Sequence, residues 1–281
     1  MPAQLLIRAS LGVLSVAAIG TGIWWSMDTM VQGQAVNEAR TVADMAENVG
    51  LWASQYGGVH VRTQGAHASI PGTFLTRSVY ARSSGDAQVL QGAKTAGNDN
   101  ERELLDGLEA YHWKNPALIQ RELADVMQAS GSRAQFKLTA RTVLNRSNAP
   151  DAFEAQAIEA LHNAPANVRG QAANPAREYW RLEMGRLRYA RAMTAQASCL
   201  KCHDKPENAP DFLKQNPQFN GGGGFGYQTG KTAGVISVSM PLPQSADVIR
   251  QNLPMKAMGA WGLGLLAAGG MVLLRRQREE V

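Results

Sequence analysis

The chain has 281 residues, 44% of them hydrophobic and only 18% charged, with a net charge of +5. That length allows one large domain or two small ones, and the apolar bias points to membrane segments. Five basic and two acidic residues flank the two most apolar runs, so only +2 is left for everything between them. That is too little to mark a nucleic-acid surface, and no nucleic acid is expected as a partner.

Ala9 to Met27 is a run of 19 residues without charge, preceded by Arg8 and carrying Trp24 and Trp25 near its end. Ala257 to Leu274 is a second run of 18, opened by Lys256 and followed by Arg275, Arg276 and Arg278. Each is close to the roughly 20 residues that a bilayer helix needs. No small-residue cleavage site follows the first run, which favours an uncleaved anchor over a signal peptide. The basic exit of the second reads as a cytoplasmic flank. The expectation is a two-pass protein of a bacterial cytoplasmic membrane, touching lipid at both ends. Residues 1–27 form the first anchor, 28–56 a long helix and 57–254 a periplasmic domain, with the second span and a short cytoplasmic tail in 255–281.

Within the outer part, Val31, Ala35, Ala39, Val42, Ala46 and Val49 recur at spacings of four and three, a narrow seam of mostly small residues. The seam suits either a partner helix or the helix's own domain. Gly57-Gly58 stops the helix, and Val59-His60-Val61 starts a short strand. Residues 62–100 read as loop with scraps of structure. Glu101 to His112 is expected to be helical. Asn115-Pro116 reads as a cap and first turn, opening a helix to about Met127 with Ile119, Leu123 and Val126 on one face.

Gln135 to Arg141 alternates and predicts a strand with Phe136, Leu138 and Ala140 on one side. Asp151 and Glu154 stand at capping-box spacing before a helix that ends near His162. Tyr179 to Met184 and Leu187 to Met193 predict an antiparallel pair about Gly185. The run Gly221 to Gly224 is either a flexible loop or a place where backbone approaches something bulky. Thr232 to Pro241 is the clearest strand. Helices feeding a short antiparallel sheet give an α+β class.

The two cysteines of the chain lie together in Cys199-Leu200-Lys201-Cys202-His203. This spacing is that of c-type haem attachment. Two thiols two residues apart can each join one vinyl group of a porphyrin, and the adjacent imidazole is a good iron donor. A thioredoxin-like pair would need a βαβ context, a zinc site a second ligand cluster, and a disulfide closing so short a loop would add little. The expectation is one covalently attached haem c, held by Cys199 and Cys202, with His203 as proximal iron ligand.

Several stretches together resemble the PAS-like haem-c sensor domain found ahead of chemoreceptor and histidine-kinase outputs. They are Tyr56-Gly-Gly-Val-His60, Asn115-Pro-Ala-Leu-Ile-Gln-Arg-Glu122, Asn145-Arg-Ser-Asn-Ala-Pro-Asp-Ala-Phe-Glu154, Leu187-Arg-Tyr-Ala190, the haem motif itself, Gly224-Phe-Gly-Tyr227 and Gly234-Val-Ile-Ser-Val-Ser-Met-Pro241. The resemblance implies a PAS-like antiparallel sheet with flanking helices and the haem at its side, here bracketed by two transmembrane helices. It also implies sensing of redox state or of a diatomic gas. The family's distal ligand region falls at Leu118 and Ile119, neither of which can bind iron. His60 or His112 is then the candidate distal ligand, with Met184 and Met193 weaker. His67 and His162 are expected to be solvated.

The tail after Leu274 is too short for an output domain, so a sensor would act through a membrane-protein partner or as a homo-oligomer. The competing reading is an electron-transfer haem c subunit of a respiratory or photosynthetic membrane complex, meeting a redox partner; a structural or assembly subunit is a third. No set of residues in a recognisable catalytic motif appears, and no enzymatic activity is expected.

Overall fold

Helix α1 (Pro2–Gln55) is a single run of 54 residues. A computed structural model describes residues 2–62, 78–81, 90–91, 109–165, 174–214, 223–243 and 264. The chain divides into two units, residues 1–35 with 242–281, and residues 36–241. In the first unit, the apolar run Ala9 to Met27 lies on α1; the second run, Ala257 to Leu274, lies outside the described residues apart from Gly264. Among the described residues no helix is long and apolar enough to cross a membrane.

The second unit is α+β, with two four-stranded antiparallel sheets. The first has the order β1-β4-β2-β3, from β1 (Val59–Arg62), β2 (Ser78–Ala81), β3 (Leu90–Gln91) and β4 (Glu109–Lys114). The helix expected over Glu101 to His112 is corrected by this sheet: residues 109–112 are strand, while 101–108 lie outside the described residues. The stretch Tyr111-His112-Trp113 favours a pleated surface, and β4 gains ladder bonds on both edges by lying between β1 and β2.

The second sheet has the order β5-β8-β7-β6, from β5 (Gln135–Thr139), β6 (Glu178–Glu183), β7 (Arg186–Thr194) and β8 (Thr232–Pro241). Strands β6 and β7 form the expected hairpin. Its two turn residues, Met184 and Gly185, both have left-handed φ values (48° and 72°), the turn whose twist matches paired strands. Strand β8 is central, and both of its faces are covered: Val235, Ile236, Val238 and Met240 are fully buried.

Helix α3 (Ala152–Ala160) covers one face. Its Phe153, Ala157 and Ile158, with Leu161 beyond its end, pack on Ala190, Ala192 and Val235. The expected capping box is formed, with the Glu154 amide donating to Asp151 Oδ1 at 2.8 Å and the Asp151 amide donating to Glu154 Oε2 at 2.9 Å.

The outer part of α1 packs on the other face. Arg40 donates to the Glu178 carboxylate at 2.9 and 3.1 Å, and Arg191 pairs with Asp44. Ala39 and Ala46 of the small-residue seam are wholly buried here, as are Ala43 and Ala53 beside it, so over these residues the helix serves its own domain.

Helix α2 (Pro116–Ala129) begins as expected, the Asn115 side chain accepting from the Leu118 amide at 2.9 Å. Its buried residues are Leu118 and Gln120, whereas Val126 is 63% exposed, so the expected face is rotated. The rotation follows from Gln120, whose amide donates to the Ala46 carbonyl of α1 at 2.7 Å. Gly50 makes room for it, since a Cβ there would overlap the Gln120 amide.

Candidate functional site

Strand β7 ends at Thr194 and is tied to the entry of β8 by Ala195, whose amide donates to the Lys231 carbonyl while its carbonyl accepts from Gly230, both at 2.9 Å. The chain then turns through a 3-10 segment, Ala197–Cys199, directly into α4 (Leu200–His203). Cys199 and Cys202 are three residues apart on this continuous helical turn, a spacing that sets side chains on one side. Both are free and half-buried. The Gln196 amide donates to Cys199 Sγ at 3.4 Å and fixes the start of the turn. Burial, with the neighbouring Cys199 adding to it, pushes the Cys202 thiol up.

His203 is oriented by three contacts with one segment, residues 223–228. Its Nδ1 lies 2.6 Å from the Gly224 carbonyl oxygen. A carbonyl only accepts, so Nδ1 carries the proton and Nε2 keeps its lone pair for a metal. Burial holds the imidazole below its ordinary pKa, against the Gly224 hydrogen bond, and so keeps it neutral near pH 7. The Tyr227 ring stacks on the imidazole at 4.5 Å and 6° between planes. The Tyr227 amide donates to the His203 carbonyl at 3.0 Å, and the Gly226 amide to the Asp204 carbonyl at 2.6 Å. Burial pushes the Tyr227 hydroxyl up to about 12, so this ring meets the histidine as a neutral phenol.

The segment is held in turn from behind. The Gly224 amide donates to Thr142 Oγ1 at 3.0 Å, and the Gly224 backbone has φ +80°. A Cβ on Gly224 would lie 2.8 Å from the Leu144 amide nitrogen. At Gly223 and Gly224 the run therefore marks a close backbone approach, one of its two expected readings, while Gly221 and Gly222 lie outside the described residues. Two thiols on one side of a turn and a neutral imidazole with a free Nε2 are the donor set that a c-type haem requires.

Of the other candidates, His60 and His112 occupy β1 and β4 of the first sheet. In the pairing of those strands His60 stands opposite Trp113, and His112 opposite Val61. Their side chains lie outside the described residues, and the Cys199-to-His203 motif lies between β7 and β8 of the second sheet. Met184 sits in the hairpin turn at 95% exposure. Met193, near the end of β7, is half-buried. His162, just past α3, is exposed as expected, and His67 lies outside the described residues.

Sequence reasoning did not single out Thr142, the Gly224 carbonyl or the Tyr227 ring. The only signal for the last two was the Gly224-Phe-Gly-Tyr227 stretch that carried part of the resemblance.

No curated protein matches this chain. Among solved structures, the "Crystal structure of the cyanobacterial heme-protein Tll0287" aligns at 16% identity and a TM-score of 0.44, over 75% of this chain and 97% of that one. A model of the Tll0287-like family matches residues 28–241. That match spans the α1 segment, both sheets and the attachment motif, well over half of the sequence, and the chain belongs to the Tll0287-like family.

Proposed function

We propose that the chain is a membrane-anchored periplasmic haem c protein with a PAS-like domain, which senses redox state or a diatomic gas and signals through a membrane partner. One observation carries the haem assignment. The His203 imidazole, fixed through Nδ1 by Gly224 and stacked on Tyr227, stands one residue beyond a turn that carries two free thiols. Cys199 and Cys202 would each form one thioether, and His203 Nε2 would take the proximal place on iron. The bound haem would supply a one-electron couple and a metal able to bind a diatomic gas. The residues around His203 hold its proton on Nδ1, exclude water from one ring face and fix the plane of the imidazole.

Anchoring at the membrane is supported by α1. Leu14, Val16, Ile19, Trp24 and Trp25 are 54–74% exposed, an apolar surface that lipid would cover. Signalling is supported by the ion pairs Arg40–Glu178 and Asp44–Arg191, which tie the part of α1 within the second unit to the second sheet. A four-stranded antiparallel sheet with the attachment motif at the exit of β7 supports the PAS-like reading.

The test is production with the cytochrome c maturation machinery, followed by haem staining on a denaturing gel. The wild-type band should stain, and Cys199→Ala or Cys202→Ala should weaken or abolish the stain. A wild-type band that never stains overturns the assignment. Spectra of the oxidised and reduced protein, with and without carbon monoxide, then test sensing. A reduced haem that is low-spin and refuses carbon monoxide removes the gas-sensing arm and favours electron transfer.

A further inference from the structure

A cleft of about 470 Å³ opens between α2 and the strands β5, β8 and β7, and it contains none of the residues of the attachment motif. Three cations line it, Arg121, Lys137 and Arg188, and three acids, Asp125, Asp151 and Glu154. Two of the cations are already engaged. Lys137 pairs with Glu154 at 2.8 Å, and Arg188 with Asp151 at 2.6 Å.

Away from the exposed Asp125, what remains unsatisfied in the lining has one chemical character. Arg121, half-buried on α2, has no ion pair or hydrogen bond among the described residues. Arg188 Nε is buried without a hydrogen-bond partner. Ser237, 4% exposed at the centre of β8, has no partner for its hydroxyl among the described residues. Guanidinium groups only donate and the serine hydroxyl can donate, while buried donors are ordinarily met.

From this set we infer that the cleft is a binding site for a small organic monocarboxylate, held carboxylate-inward by Arg121, Arg188 Nε and Ser237. A planar carboxylate accepts two parallel bonds from a guanidinium fork. The acids in the lining decide the charge. A dianion would meet Asp151 and Glu154 close by, whereas a single negative charge faces Arg121, the one cation of the three without a partner among the described residues, while Asp125, one turn further along α2, is exposed to water. The cleft has the size of a small-molecule site. The site is independent of the haem proposal, because the two share no residue.

The experiment is isothermal titration of the purified full chain in detergent with acetate, pyruvate and benzoate separately, and with inorganic phosphate as the comparison anion. At least one carboxylate should bind saturably, and Arg121→Gln and Ser237→Ala should each weaken it by about tenfold. The haem spectrum and the unfolding midpoint should be unchanged in both variants. Should Arg121→Gln fail to fold, Arg121→Lys, which keeps the charge and loses the fork, should show affinity below wild type. The inference is overturned if none of the three carboxylates binds up to about 10 mM. Wild-type affinity in the Arg121 and Ser237 variants overturns the site, and tighter binding of phosphate than of every carboxylate overturns the ligand class.

Discussion

Replacing Gly224 by alanine tests the geometry around His203 most directly. Three costs add. The backbone at Gly224 has φ +80°, and a left-handed conformation costs an L-residue about 1–2 kcal/mol. The new Cβ would stand 2.8 Å from the Leu144 amide nitrogen and 3.2 Å from the Val143 carbonyl carbon, both backbone atoms that cannot swing aside. Overpacking of this kind costs roughly 1–3 kcal/mol. Any shift that relieves it moves the carbonyl that accepts from His203 Nδ1, at about 1 kcal/mol more. The sum is about 3–6 kcal/mol.

Gly226 is the internal control. Its φ is +77°, but an added Cβ there meets nothing within 4 Å, so Gly226→Ala bears only the backbone cost of about 1–2 kcal/mol. Thermal unfolding of the two full-length variants at one scan rate is the assay. A difference of at least about 2 kcal/mol corresponds to roughly 4–8 °C in Tm for a domain of this size. The absorption spectrum gives a second reading, because a displaced carbonyl frees the imidazole to rotate. Equal midpoints for Gly224→Ala and Gly226→Ala, with an unchanged spectrum, would refute the proposed clamp on His203.

Three further outcomes follow from the fold. Asp151→Ala should lower stability by about 1 kcal/mol through loss of the α3 cap, and Asp151→Asn by less, as read from denaturant midpoints at pH 7. The Asp151 carboxyl is opposed by burial, yet the Glu154 amide and Arg188 together hold it below the usual carboxylate value. Its contribution is therefore present above that value and fades as pH falls through the lower folded-state one, a slope that Asp151→Asn should lack. Ala39→Leu should destabilise the domain itself by roughly 1–3 kcal/mol, since Ala39 is wholly buried; an unchanged midpoint with a lost oligomer would restore the partner-helix reading of the seam. Reporter fusions after Ser147 and at the C-terminus should report opposite sides of the membrane, and reports from the same side would refute the two-pass topology.

What the sequence determined by itself lies within about one helical turn or one strand. The Asp151–Glu154 box, the Asn115 cap, the turn at Met184–Gly185 and the alternation of β8 are each written in a few adjacent residues, because the bonds involved close over three or four positions. The Cys199-to-His203 motif stands out for the same reason, its thiols and imidazole falling within five consecutive residues. Residues 109–112 were misread because a strand at the centre of a sheet is stabilised by neighbours on both sides, here β1 and β2, which local periodicity does not contain. The alanine seam of α1 could not name its own partner, since close packing by small residues looks the same whether the other surface is a second helix or the sheet. Only the tertiary structure decided that a carbonyl 21 residues beyond His203 fixes its tautomer, and that Thr142 and Leu144, just after β5, shape the glycine that provides it. Such contacts depend on how β5, β7 and β8 come together, and no stretch of the chain encodes that alone.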